Sequence, residues 1–268
     1  MGLLSLSTMK INKLKLLNFR CFEEYQIELS DRFTLLVGDN GSGKTTILDA
    51  LAISTDGFLL GIPETRSSDR RTVSRDDARH NLQLFGQSMT KEIESDITLI
   101  KAIGIVDNKA LEWTRYKDYK THHEYNASQI SYDNTIIELA ENLAKQRSNP
   151  HTFFPVISYY GTGRLWKSID SFPIETLSPD SRLVGYRDCL NPASNLEQLF
   201  RWFKTQELAA LQKNERRHVL EAVRNAIVEM IPGAKRAWWD VDWDEILIET
   251  VIQGKAQTIP SSTQRRLP

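Results

Sequence analysis

Cysteine is scarce in this chain of 268 residues: Cys21 and Cys189 are its two, and they stand far apart. That excludes a disulfide framework and a cysteine-built zinc site, and it suits a reducing compartment. Long apolar runs are missing too. No stretch approaches the ~18–20 apolar residues of a membrane span, and the opening MGLLSLST is short and lacks the basic start of a signal peptide. The expectation is a soluble, cytoplasmic protein with no membrane partner. An excess of one charge is also lacking, since 34 basic side chains face 35 acidic ones and the net charge is -1. Proteins wrapped wholesale in nucleic acid carry a clear basic excess, so only a local basic face stays open. With 9 prolines and 13 glycines nothing is collagenous or disordered overall, and the length fits one large domain or two small ones.

Hydrophobic periodicity organises the chain. Residues 1–8 read as a disordered extension, and from Met9 a β-like alternation (Ile11, Leu14, Leu16) runs to Phe19. A second short strand spans about 25–29, and the compact apolar run Phe33 to Val37 predicts a central buried strand. Thr45 to about Leu60 predicts a helix with Ile47, Leu48, Leu51 and Ala52 on one face. Residues 61–92 read as a mobile insert. Within it Arg66, Arg70, Arg71, Arg75 and Arg79 alternate with acids, which suits a solvated loop or, more sharply, an arginine-bearing segment that contacts nucleotide or nucleic acid. Two strand-like runs over 93–117 predict an antiparallel β-arm, and Asp133 to Arg147 a helix with Ile136, Leu139, Ala140 and Leu143 aligned. Phe154 to Tyr160 reads as another buried strand. Two helices over 195–231 form a helical lobe in which Val219, Val223, Ile227 and Met230 read as core, and Trp238 to Val251 predicts a hairpin.

The segment GDNGSGKT at 38–45 matches the phosphate-binding pattern G-x-x-x-x-G-K-[ST], the Walker A motif, in full. Gly38, Gly41 and Gly43 permit the tight wrap that turns backbone N–H groups toward a phosphate. The following helix aims its positive end at the same place. Lys44 supplies a point charge to the β- and γ-phosphates of ATP, and the Thr45 hydroxyl can ligate Mg²⁺. A β-run leads in and an apolar-periodic helix leads out, the context the motif requires. The ATP-binding set is therefore Gly38, Asn40, Gly41, Ser42, Gly43, Lys44, Thr45 and Thr46, with Thr45 the metal ligand.

The order strand, Asn18-Phe19-Arg20-Cys21-Phe22, strand, buried strand, GDNGSGKTTILDALA resembles the N-terminal half of ATPase heads in the RecF and SMC-like branch of the ABC superfamily. The match is dense over residues 10–52 and includes Asn40, Thr45, Thr46, Ile47, Leu48, Asp49, Ala50 and Leu51. The resemblance implies an α/β P-loop NTPase fold, an ABC-type head, and ATP hydrolysis with Mg²⁺. It also implies an Arg20 near the nucleotide, dimerisation through the nucleotide, a DNA-linked role in repair or phage defence, and in some relatives a nuclease partner. The run Phe154 to Trp166 looks like one in small bacterial ATPases of retron and Septu-type defence systems. No glutamine stands there to sense Mg²⁺, so Arg164 is a minor nucleotide candidate.

A complete head of this type has a signature of the L-S-x-G-x form, an apolar strand ending in Asp-Glu, and a distal His. None is visible in 165–268. Asp244-Glu245 follows two acids and two tryptophans and reads as a hairpin turn, and His218 falls on an exposed helical position. The tail 261–268 has no pattern and reads as non-native. Thr263 to Pro268 can be encoded as ACT CAG CGA CGG CTA CCG, which read one base later gives Leu-Ser-Asp-Gly-Tyr-Arg, a signature form, and this suggests a frameshifted or truncated gene. The expectation is thus one head over 9–260, C-terminally truncated, that binds ATP with negligible turnover. The alternatives are a non-catalytic interaction module with a P-loop fold, and a P-loop kinase with an arginine lid.

Overall fold

The computed structural model describes residues 9–65, 70–85, 88–119, 134–149, 151–161, 182–191, 196–252 and 254–261. The extension 1–8, Arg66, Arg164 and residues 262–268 of the tail lie outside them. The chain divides into two units, 1–165 with 182–193, and 166–181 with 194–268.

In the first unit, β1 (Met9–Phe19) lies between β2 (Phe22–Glu28) and β5 (Ile97–Val106), and β6 (Lys109–Asp118) closes an antiparallel sheet of order β2-β1-β5-β6. Period-2 alternation places Leu14 and Leu16 of β1, Ile100 and Ala102 of β5, and Trp113 of β6 on one buried face. The β5–β6 hairpin, expected as an antiparallel β-arm over 93–117, joins the same sheet, held by a ladder from Met9↔Val106 to Leu17↔Leu99. Against that face packs α1 (Lys44–Leu59), with α2 (Thr135–Lys145) alongside. Ile136, Leu139, Ala140 and Leu143 of α2 are buried, as their spacing predicts. Helix α1 is enclosed nearly all round: Ile47, Ala50, Ala52, Ile53, Phe58 and Leu59 join the core. Leu48, expected on the apolar face, is 44% exposed.

Two expectations fail here. Residues 33–37 and 154–160 are extended, but neither stretch joins a ladder among the described residues. Leu36, Phe154, Ile157 and Tyr159 pack on the core. Phe33, Leu35, Val37, Val156 and Tyr160 face outward, with Val156 98% exposed. An apolar run reads as a central strand only if another element covers its second face, and none of the described elements does so. The third departure concerns the arginine-rich insert. Val73 and Asp77 are buried, a 3-10 turn spans Arg75–Asp77, and β3 (His80–Phe85) pairs with β4 (Ser88–Ile93). Arg71, Val73 and Asp77 are thus held against other elements, Arg71 and Asp77 by opposite charges, while Ser74, Arg75 and Asp76 stay exposed.

In the second unit, α3 (Leu196–Lys213) and α4 (His218–Met230) pack on a sheet of order β7-β8-β9 (Ala234–Asp240, Glu245–Ile252, Lys255–Pro260). The seam holds Phe203, Leu220, Ala237, Ile246 and Ile248, with Val223 and Ile227 beside them. Val219 and Met230 are exposed, which corrects their reading as core. The seam runs through Leu220, Val223 and Ile227, at spacings of three and four residues, and leaves Val219 and Met230 to either side of it. The expected hairpin is present, with a third strand added. Asp244 lies in the β7–β8 turn, where the Asp240 carboxylate accepts the N–H groups of Asp242 and Trp243 at 3.1 and 3.2 Å.

Candidate nucleotide-binding site

The loop between the extended segment 33–37 and α1 carries Gly38 to Gly43. Gly41 and Gly43 adopt φ of 84° and 89°, in the left-handed region where a side chain is strained. At Gly43 space forbids a side chain as well: a Cβ would lie 2.6 Å from Phe22 Cζ and 3.2 Å from Cys21 Sγ. The turn after β1 therefore presses on the loop, and glycine is what lets them meet. Helix α1 starts immediately, with the Ile47 N–H donating to Gly43 O at 3.0 Å. No acid stands in its first turn to compete for an anion at the positive end of the helix.

Lys44 folds back over the loop. Its Nζ donates to Gly38 O and Asp39 O, both at 2.6 Å, and to Ser42 Oγ at 3.3 Å. Asn40, Ser42 and Thr45 are exposed, while Thr46 turns inward, its hydroxyl 3.9 Å from Cys21 Sγ. The residues fit a nucleoside triphosphate: a glycine cradle, an ammonium held at its rim and an accessible hydroxyl in the first turn. Thr45 would hold Mg²⁺ and Lys44 the β- and γ-phosphates, where they neutralise charge. No cluster of three or more His, Cys, Asp or Glu side chains suited to a metal occurs among the described residues. Glu245, the acid of the sequence's Asp-Glu pair, opens β8 in the second unit and accepts a hydrogen bond from Ser261.

Arg20 follows β1 in the turn, with φ 51°, a left-handed conformation unusual for its type. Its guanidinium donates to Asp49 Oδ2 at 2.5 Å from Nη1 and to Asp77 Oδ1 at 2.9 Å from Nε. Asp49, one turn after Thr45 on α1, also accepts from Arg71 Nη2 at 2.7 Å and from Tyr159 Oη at 2.5 Å. The Arg71 guanidinium lies 4.5 Å from the centre of the Tyr159 ring. Burial works against the Asp49 charge, but Tyr159, Arg20 and Arg71 together outweigh it and hold the carboxyl below its usual range. Arg20 likewise stays firmly protonated despite burial, because Asp49 and Asp77 hold it. Burial and the Asp49 bond push the Tyr159 phenol up.

Sequence reading found the loop but not this cluster. Asp49 entered only within the family-like string, Arg71 within a presumed solvated insert, and Tyr159 within a presumed strand. Their shared signal is a buried charge in an otherwise apolar helix, with arginines elsewhere to meet it.

A model described as an AAA domain matches residues 13–233 of the chain. The DNA replication and repair protein RecF of Shewanella loihica is 30% identical over 147 residues, covering 54% of this chain and 34% of that protein. The DNA double-strand break repair Rad50 ATPase of Pyrococcus abyssi is 34% identical over 88 residues, 33% of this chain and 9% of that protein. Structural maintenance of chromosomes protein 6 of Saccharomyces cerevisiae is 49% identical over 43 residues, 16% of this chain and 4% of that protein. The match thus spans about a third or less of the length of these relatives. The model's reach over most of the chain, the α/β fold and the loop–helix geometry agree: the chain belongs to the AAA-domain family, as an ABC-type P-loop ATPase head similar to those of RecF, Rad50 and the structural-maintenance proteins.

Proposed function

We infer that the chain binds ATP with Mg²⁺ through Gly38 to Thr46 and serves as the nucleotide-binding part of a RecF/SMC-like head with a DNA-linked task, in repair or in phage defence. The observation that carries this reading is the loop itself: left-handed Gly41 and Gly43, Lys44 folded over the loop carbonyls, and a helix N-terminus without acids. The names of the RecF and Rad50 relatives supply the link to DNA repair. Titration with a fluorescent ATP analogue tests it. Lys44→Ala should abolish binding, and unchanged affinity would refute the assignment.

The 268-residue chain alone turns over ATP negligibly. Lys44 and Thr45 can hold phosphate and metal, but a signature and an acidic pair ending an apolar strand are not found in its sequence. Loss of groups that stabilise the transition state costs orders of magnitude in rate. Hydrolysis of order 1 s⁻¹ that Lys44→Ala abolishes would reveal a catalytic carboxylate within these residues. DNA binding by the chain alone is feeble and falls steeply between ~50 and ~200 mM salt, as phosphate-only contacts do. A closed dimer around nucleotide, with or without a nuclease partner, is the assembly proposed for such a head. The outward apolar row Phe33, Leu35, Val37 favours a second reading, an interaction module that keeps the P-loop fold but does no chemistry. An unsubstituted chain that binds no ATP would favour it.

A further inference from the structure

Around the first half of α1, four segments distant in sequence meet on one carboxylate. We propose that Asp49 is a positioning residue for the phosphate loop, holding Arg20, Arg71 and Tyr159 in one charge-balanced cluster that fixes the turn at 18–22 against Gly43 and Thr46. The proposal rests on the ATP-binding reading above and adds a residue to that site.

Asp49 itself is not free to touch ligand. Oδ1 accepts from Arg71 and Tyr159, Oδ2 accepts from Arg20, and the side chain is 7% exposed. A carboxylate with three short donors is neither a metal ligand nor a base. Its effect must pass through what it holds. Arg20 and Arg71 are 32% and 26% exposed, so the cluster presents positive charge at its rim while Asp49 and Asp77 balance it beneath.

The turn it holds is strained and heavily pinned. Asn18 and Arg20 both have positive φ. The Arg20 N–H donates to Asp77 O at 2.8 Å, the Arg79 N–H to Asn18 O at 3.0 Å, and the Thr98 hydroxyl to Asn18 O at 3.0 Å. Strain of this kind persists only where surroundings over-determine it. The neighbouring residues of the same turn, Cys21 and Phe22, are those that touch Gly43. A shift of Arg20 therefore moves the wall of the phosphate loop.

Three explanations separate by sign. If Asp49 only neutralised charge, Asp49→Asn would tighten ATP by leaving a net positive cluster. If it only supported the fold, melting temperature would fall with ATP affinity unchanged. Positioning predicts that Asp49→Asn weakens the fluorescent ATP analogue about tenfold, and that Tyr159→Phe, which keeps the ring under Arg71, weakens it less. The double variant Arg20→Ala/Asp49→Asn should bind no more weakly than Arg20→Ala alone. Affinity for Asp49→Asn and Tyr159→Phe within twofold of the unsubstituted chain, or strictly additive losses in the double variant, overturns the proposal. In those cases Lys44→Ala still abolishes binding and the ATP-binding reading stands. An unsubstituted chain that binds no ATP overturns both.

Discussion

Asp56 and Arg115 form an ion pair sealed inside the first unit: Arg115 Nη2 donates to Asp56 Oδ2 at 2.9 Å, and the side chains are 2% and 0% exposed. The pair joins the last turns of α1 to β6, beside the Trp113 indole, which donates to Ser54 O at 2.9 Å. Burial pushes the Asp56 carboxyl up and the Arg115 guanidinium down, and their mutual attraction opposes both shifts. The Arg71 N–H, at 3.2 Å, is a further donor to Asp56.

Breaking this pair from one side leaves an uncompensated charge in the core. Arg115→Met or Asp56→Ala should each destabilise the chain by about 3–5 kcal/mol, read by urea denaturation. Joint replacement should cost less than the two single losses added together.

At Gly43, substitution meets two penalties at once. Gly43→Ala forces φ 89° on a side chain and drives its Cβ to 2.6 Å from Phe22 Cζ. It should lose about 1–3 kcal/mol of stability and bind ATP more weakly. Gly41→Ala has open space around its Cβ, so only the backbone term of about 1–2 kcal/mol applies. Equal losses at the two positions would deny that the 18–22 turn abuts the loop.

Acid should loosen the Asp49 cluster. Its carboxyl is held below the usual range when folded, so the unfolded chain takes up the proton more readily and acid favours unfolding. The contribution is present above the ordinary carboxylate value of about 4 and is lost as pH falls through the lower folded value. Arg20, Arg71, Tyr159 and Asp77 face the group or its partner. Melting temperature followed from neutral to acid pH should drop less steeply for Asp49→Asn than for the unsubstituted chain.

The outward row Phe33, Leu35, Val37, at 73%, 70% and 84% exposure, is an apolar patch on an extended segment. Such patches bind apolar dyes and favour association. Leu35→Lys should lower dye fluorescence and raise solubility with little change in melting temperature. A clear fall in melting temperature would mean that Leu35 is covered in solution.

Local signals were legible without a structure. The GDNGSGKT loop needs only contiguous residues, because glycine conformations, a lysine and a helix start are properties of one short stretch. Strand β1 and helix α2 were legible because alternation and 3.6-residue spacing each report one buried face. The string around Asn18 to Leu51 carried the family resemblance for the same reason.

Whether an apolar or charged side chain is buried depends on what arrives from elsewhere, and that the tertiary structure alone decided. Phe33 to Val37 is as apolar as any central strand, yet its second face is uncovered among the described elements. Arg71 belongs to a charge-rich stretch that reads as solvated, yet it reaches Asp49, 22 residues away, and stacks on Tyr159. The β5–β6 hairpin was readable as a hairpin, but only its register against β1 made it part of the sheet behind α1. Sequence determined the phosphate loop because its chemistry is local; the cluster that braces it needed the fold, because a carboxylate and its donors find one another through space.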